Sequence, residues 1–115
     1  MEDHRREARM MCADMVEVRW EDEGKQPRTA LALLEDISPS GACLQLENEI
    51  PLGTEVHWDF PRQSFAGKVR YCDYREIGFF VGVEFSDFCR WSEKSFKPLH
   101  LLDLERLTAG TEKPP

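Results

Sequence analysis

An arginine motif near the start of the chain has the side chains and the spacing to bind an anion. Arg5 and Arg9 are four residues apart, and Arg6 stands beside the first. A guanidinium group is flat, permanently charged and forked, so it can pair with a phosphate or stack on a planar ring. Arginines at this spacing are also common in solvated basic tails, and the motif alone does not separate the two interpretations.

A second motif follows in the segment Asp36-Ile37-Ser38-Pro39-Ser40-Gly41, which has the pattern DxSxxG. Taken alone, it describes an ordinary turn, in which Asp and Ser accept backbone hydrogen bonds, Pro begins the turn and Gly takes a positive φ. The order of the two motifs is more informative than either one. An arginine-bearing arm comes first, two strand-like runs follow it, and the second motif stands at the next corner.

Alternation of apolar and polar residues predicts six strands. It is clearest in the first, where Val16, Val18 and Trp20 alternate with charged residues. Gly67, in the fifth strand, is expected to mark a bend or bulge. The predicted strands cover residues 14–21, 29–36, 42–46, 54–60, a fifth run alternating from 65 to 71, and 79–85. Short strands with local turns imply an antiparallel sheet, and six of them close into a small barrel that has no exposed edges.

The hydrophobic period changes after the sixth strand. Between Ser92 and Leu107 the apolar residues suit a helix, which starts near Ser95 with Pro98 in its first turn or follows a short turn. We therefore expect a mainly β fold, a six-stranded antiparallel barrel with a C-terminal α-helix and a flexible N-terminal arm. The three predicted segments are an arm at 1–13, the barrel with its helix at 14–107, and a tail at 108–115.

Composition narrows the function. The 115 residues suit one domain, and the net charge of -7 argues against general binding of DNA or RNA. Residues 1–9 sum to zero charge, so the excess negative charge lies beyond Arg9. The four cysteines have no CxxC spacing and no nearby histidine, so we expect no metal, and we interpret them as small buried hydrophobes of a reducing cytoplasm. Neither a signal peptide nor a membrane-spanning run is expected.

The two motifs, with the segment Val81-Gly82-Val83-Glu84-Phe85 further along, resemble the PilZ domain family. PilZ domains are small β-barrels that bind the bacterial second messenger cyclic di-GMP. The resemblance covers the chain from Arg5 to about Leu107. It implies that cyclic di-GMP is a ligand of this protein and that no other cofactor is needed.

The resemblance also implies roles for particular residues. Arg5 and Arg9 are the motif pair that meets the ligand, and Arg6 is an added contact. Asp36 accepts hydrogen bonds from the N1–H and N2–H₂ groups of guanine, and Ser38 adds a hydroxyl. Gly41 lets a base approach the backbone closely and allows an unusual φ at the start of the strand.

Two further residues could contact the ligand. Ser40 stands where many family members have glycine, a change that should not block binding. Tyr71 could stack on a base edge or simply close the rim of the barrel, and we favour the rim. Trp20 and Trp58 are expected in the core.

We interpret the chain as a receptor and not an enzyme, because its histidines have no nucleophile–base spacing. Ligand binding is expected to draw a mobile arm, residues 1–12, onto the barrel and so signal to an unidentified output protein. The alternative is a PilZ-type interaction module without nucleotide binding. A single-stranded nucleic-acid binder has the wrong charge.

Overall fold

The computed structural model describes residues 9–60, 63–86, 89–92 and 102–103, and every regular element among them is a β-strand. The seven strands are β1 (Met10–Glu21), β2 (Pro27–Ser38), β3 (Gly41–Leu46), β4 (Glu55–Phe60), β5 (Gln63–Arg75), β6 (Gly78–Phe85) and β7 (Leu102–Asp103). Six of them correspond to the six that alternation predicts, and several are longer at their ends.

The strands form a closed antiparallel barrel. The order around it is β2-β3-β6-β5-β4-β1, and β1 also pairs with β2, which closes the ring. Each of the six strands thus has a paired neighbour on both sides, although β1 and β4 pair only at Arg19 and His57. The predicted six-stranded antiparallel barrel is therefore confirmed.

β1 begins earlier than the alternation indicates. Met10 to Ala13, assigned to the arm from the sequence, belong to this strand, and Met10 pairs with Ile37. Asp14 stands midway between the buried Cys12 and Val16, at a position where alternation calls for an apolar residue. Its charge interrupts the pattern that would have identified this part of the strand from the sequence. Met10 and Met11, which the sequence assigns to the mobile segment, pair with Ile37 and Asp36 of β2.

The predicted C-terminal helix falls mainly on residues outside the described ones. Leu102 and Asp103, which it would include, instead form β7 and pair with Met11 and Met10 of β1. A continuous helix through these two residues is therefore wrong, because their backbones take part in the sheet. Arg5 and Arg6 also lie outside the described residues.

The core is built around stacked aromatic rings. Trp58 has no exposed surface and stacks on Phe65, with ring centroids 5.6 Å apart, and both rings pack against Phe85. Such pairs add to the stabilisation from buried area. Trp20 is 7% exposed, so the expected core positions of both tryptophans are confirmed. Of the four cysteines, Cys12, Cys43 and Cys89 are buried and Cys72 is half-buried.

Two one-residue bulges set which side chains face outward. Glu35 is the extra residue of β2 opposite β3, and Arg70 is the extra residue of β5 opposite β6. Each bulge reverses the alternation, so Leu34 and Ile37 both face the core while Asp36 faces out. The second bulge puts Tyr71 on the outer face, although simple alternation groups it with the buried Val69. The bulge of β5 thus lies at Arg70 and not at Gly67.

Leu34 and Leu31 provide a matched test of the faces of β2. Leu34 is fully buried, whereas Leu31 is 67% exposed. We expect Leu34→Ala to lower the free energy of unfolding by about 2–5 kcal/mol, because it leaves a cavity in the core. Leu31→Ala should change it by less than about 0.5 kcal/mol. Urea unfolding of the two variants measures the difference, and equal losses would contradict the assigned faces.

Candidate ligand-binding site

The outer face of the barrel carries a row of residues contributed by four adjacent strands. Asp36 of β2 pairs with Cys43 of β3, Cys43 pairs with Gly82 of β6, and Gly82 pairs with Tyr71 of β5. In the next row along the same strands, Ser38 pairs with Gly41 and Gly41 pairs with Glu84. The two rows form the floor of a shallow cleft.

This cleft brings together most of the residues that the sequence singles out. Its volume is about 320 Å³. Six of the eight predicted residues line it, namely Arg9, Asp36, Ser38, Ser40, Gly41 and Tyr71. The two motifs, 27 residues apart at Arg9 and Asp36, therefore meet at one place on the surface.

The contact between the two motifs is an ion pair. Nη2 of Arg9 donates to Oδ2 of Asp36 at 2.5 Å. The Arg9 side chain is 58% exposed and that of Asp36 only 17%, so the guanidinium lies over a largely covered carboxylate. The hydrogen bond to Asp36, and next its negative charge, raise the pKa of Arg9 above its ordinary value. The pair joins the end of the arginine motif to the DxSxxG corner.

Backbone contacts hold the DxSxxG corner against the end of β6. The amide of Phe85 donates to the carbonyl oxygen of Ser40 at 2.8 Å, and the amide of Trp91 donates to that of Pro39 at 3.1 Å. The Ser38 hydroxyl donates to the carbonyl oxygen of Gly41 at 3.4 Å. These bonds fix a corner that connects two strands and lines the cleft.

The glycine at position 41 allows β3 and β6 to pack closely. A Cβ at this position would lie 2.5 Å from the carbonyl oxygen of Val83, so any side chain would push β3 and β6 apart. Positive φ angles occur, among the described glycines, at Gly53 and Gly78. The expected unusual φ at Gly41 is therefore wrong, and close packing of two strands is what needs the glycine.

Gly82 makes room for the ring of Tyr71. A Cβ on Gly82 would overlap that ring, so the tyrosine lies flat across the glycine. Burial, and next the interaction with the Cys43 thiol, raise the pKa of Tyr71. Burial also raises the pKa of Cys43, and the interaction with Tyr71 only partly offsets this. Tyr71 is still 41% exposed, so its outer side is accessible from the cleft.

The structure adds six residues that the sequence interpretation did not single out as ligand contacts: Ala42, Cys43, Arg70, Gly82, Val83 and Glu84. Alternation in β6 could have placed Glu84 on the outer face with Gly82. No local signal marks the bulge that brings Arg70 into the cleft, because arginine is ordinary in an exposed strand position.

A larger cleft, of about 620 Å³, lies at the turn end of the β1–β2 hairpin. In this cleft Arg19 pairs with Asp59, Arg28 with Asp22 and His57 with Glu55, just as Arg9 pairs with Asp36 in the smaller cleft, so charge pairing does not separate the two. None of the residues of the two sequence motifs lines it. We therefore take the smaller cleft as the candidate site.

A family model for the PilZ domain matches residues 3–90 of the sequence. The chain belongs to the PilZ family. Among solved structures, this PilZ domain is similar to the PilZ domain with c-di-GMP of YcgR from Escherichia coli, with a TM-score of 0.54 and 14% sequence identity. The match covers 74% of this chain and 79% of that one, and at this identity the likeness concerns the fold. No curated protein matches the sequence.

The part of this PilZ domain that the structure describes contains neither a metal-binding cluster nor a helix that could span a membrane. Within it, no group of three or more His, Cys, Asp or Glu side chains could hold a metal ion. No helix in the same residues is long and apolar enough to cross a membrane.

Cysteine labelling can test the packing of Tyr71 over Cys43. Only the thiolate reacts with iodoacetamide, and burial raises the pKa of Cys43 and that of Cys12, the latter to about 12. At pH 8 we expect Cys72 to be modified first, because it is half-buried, and Cys12 and Cys43 to react slowly. Mass spectrometry of the labelled peptides measures each rate.

Tyr71→Ala should accelerate labelling of Cys43, because removing the ring lessens the burial that is the main cause of its raised pKa. Tyr74→Ala is the control, since Tyr74 lies in the same strand and is 71% exposed. An unchanged labelling rate at Cys43 in the Tyr71→Ala variant would contradict the packing of Tyr71 over Cys43.

Proposed function

We propose that this PilZ domain binds cyclic di-GMP in the cleft between Arg9, Asp36 and Tyr71, and that it is a receptor and not an enzyme. The observation that carries the proposal is the contact between the two motifs, in which Arg9 lies against Asp36 on the outer barrel face. Membership of the PilZ family, whose domains include cyclic di-GMP receptors, supports the choice of ligand. The likeness in fold to a domain solved with that ligand is consistent with it.

Guanine is suited to an arginine–aspartate pair. Its N1–H and N2–H₂ groups donate, which matches the carboxylate of Asp36, while its O6 and N7 atoms accept, which matches the fork of Arg9. Ser38 adds a hydroxyl beside Asp36. Tyr71, with one side of its ring exposed, either stacks on a base or closes the rim.

Arg5 and Arg6 are proposed to complete the site from outside the barrel. Arg5 is four residues before Arg9 in the sequence, and four residues of chain span at most about 14 Å. The ligand carries two negative charges, which offset the repulsion between neighbouring arginines. The segment that the ligand orders is proposed to end at Arg9, because Met10 is already part of β1.

We further propose that a partner protein in the cytoplasm reads the bound form. Met15 and Leu31 are 59% and 67% exposed on the hairpin that also carries Asp36. Apolar side chains exposed on this hairpin suit a contact with a protein. A DNA or RNA partner is not proposed, because the net charge is -7.

The alternative is a PilZ-type module that binds protein but no nucleotide. Its support is that Arg9 and Asp36 already neutralise each other, so the cleft does not require an anion. Burial raises the pKa of Cys43, which makes this thiol a weak nucleophile. Ligand titration separates the receptor from the module.

Cyclic di-GMP should bind this protein and raise its melting temperature. At a ligand concentration of about one hundred times the dissociation constant, linkage adds roughly 2.7 kcal/mol to the free energy of unfolding. Isothermal titration and a thermal melt measure the two effects. GMP and cyclic AMP serve as controls and should produce neither. Absence of both heat and shift with cyclic di-GMP would favour the interaction module.

Arg9→Ala and Asp36→Ala should each weaken cyclic di-GMP binding by about tenfold or more, because each removes a charge-assisted contact of roughly 1.5–3 kcal/mol. Arg28→Ala is the matched control, since Arg28 is a 62% exposed arginine paired with Asp22 outside the cleft. All three variants should fold, which circular dichroism checks. Wild-type affinity in a folded Asp36→Ala protein would mean that its motif is only a turn.

A further inference from the structure

A second arginine–carboxylate pair lies in the same cleft as Arg9 and Asp36. Nε and Nη2 of Arg70 both donate to Oε1 of Glu84, at 2.9 and 2.5 Å. The Arg70 side chain is 57% exposed and that of Glu84 is 41% exposed. The pair is thus open to the cleft rather than part of the core.

The position of this pair follows from the bulge in β5. Arg70 is the extra residue there, directly before Tyr71, so both side chains line the cleft. Glu84 is the register partner of Gly41, which in turn faces Ser38. The pair therefore lies in the row next to Asp36, Cys43 and Gly82.

The charges of the described cleft cancel. Arg9 and Arg70 are each matched by one carboxylate, Asp36 and Glu84. A dianion gains little from this arrangement unless one arginine exchanges its carboxylate for the ligand. Asp36 has a use in the bound state as the acceptor for guanine, whereas Glu84 has none.

We propose that Arg70 binds a phosphate of cyclic di-GMP, and that Glu84 is an internal competitor which holds Arg70 in the free protein and lowers the affinity. The proposal rests on the proposed function of the cleft. Exposed ion pairs contribute little to folding, so releasing Arg70 from Glu84 carries a small penalty. A phosphate oxygen takes the place of Oε1, since arginine pairs with carboxylates and phosphates in the same forked geometry.

The proposal predicts that substitutions of Arg70 and of Glu84 change the affinity for cyclic di-GMP in opposite directions. Arg70→Gln should weaken cyclic di-GMP binding by about tenfold, as expected for a lost charge-assisted contact. Glu84→Gln should strengthen it by about threefold to tenfold, because the competing charge is gone. Arg70→Lys should lie between Arg70→Gln and the wild type, since it keeps the charge but loses the fork.

Arg19 and Asp59 provide the matched control. Their ion pair, at 2.9 Å, has similar exposure, with side chains 43% and 51% exposed, and neither residue lines the cleft. Arg19→Gln and Asp59→Asn should leave the affinity unchanged. Titrations at two salt concentrations add a second readout, because the affinity of Arg70→Gln should fall less steeply with salt than that of the wild type.

The outcomes separate this inference from the proposed function. If the wild type binds cyclic di-GMP and both Arg70→Gln and Glu84→Gln bind equally well, the role of Arg70 is wrong and the receptor assignment stands. If Glu84→Gln weakens binding, Glu84 is a ligand contact and not a competitor, which also overturns the inference. If the wild type does not bind, both fail. Circular dichroism and a thermal melt of each variant establish that it is folded.

Discussion

The cleft depends on which side chains of four neighbouring barrel strands face outward. Side chains alternate strictly along a strand, so a residue can change face only if one extra residue enters the ladder. Glu35 and Arg70 are such residues, one on each side of the central pair β3–β6. Leu34 and Ile37 are both fully buried. Strict alternation from Leu34 would turn Ile37 outward, so core packing favours the bulge at Glu35. The outward position of Asp36 is thus a consequence of how the core is filled.

Glycines set the depth of the same surface. Gly82 leaves space that the ring of Tyr71 occupies, and Gly41 lets the backbone of β6 approach that of β3. The sequence marks Gly41 by its motif and Gly82 by its place between valines, but it does not say what lies against them. For that reason the expected unusual φ at Gly41 was wrong: the constraint comes from a strand more than 35 residues later in the chain, and local turn chemistry does not contain it.

Much of the fold could be predicted because the core is periodic. Val16, Val18 and Trp20 identify β1, and the break at Pro51-Leu52-Gly53 precedes β4. The start of β1 could not be predicted, since Asp14 occupies an inward-phase position. The candidate site was predicted where its residues belong to a motif, as for Arg9, Asp36 and Ser38. Arg70 and Glu84 could not be predicted, because their position in the cleft depends on a bulge and on pairing between strands.

The pairing of charges bears on how such a cleft could select a ligand. A surface of bare arginines attracts any anion, nucleic acids included. Here Arg9 lies over Asp36, so a simple anion that approaches the arginine also meets the carboxylate. Under the proposed function, guanine avoids this conflict because its edge donates to Asp36 and accepts from Arg9. Selectivity would then arise because the ion pair between Arg9 and Asp36 is exchanged for hydrogen bonds from both residues to guanine. It would not depend on excess positive charge. On that proposal, a protein of net charge -7 would hold a dianion on its surface without an excess of positive charge.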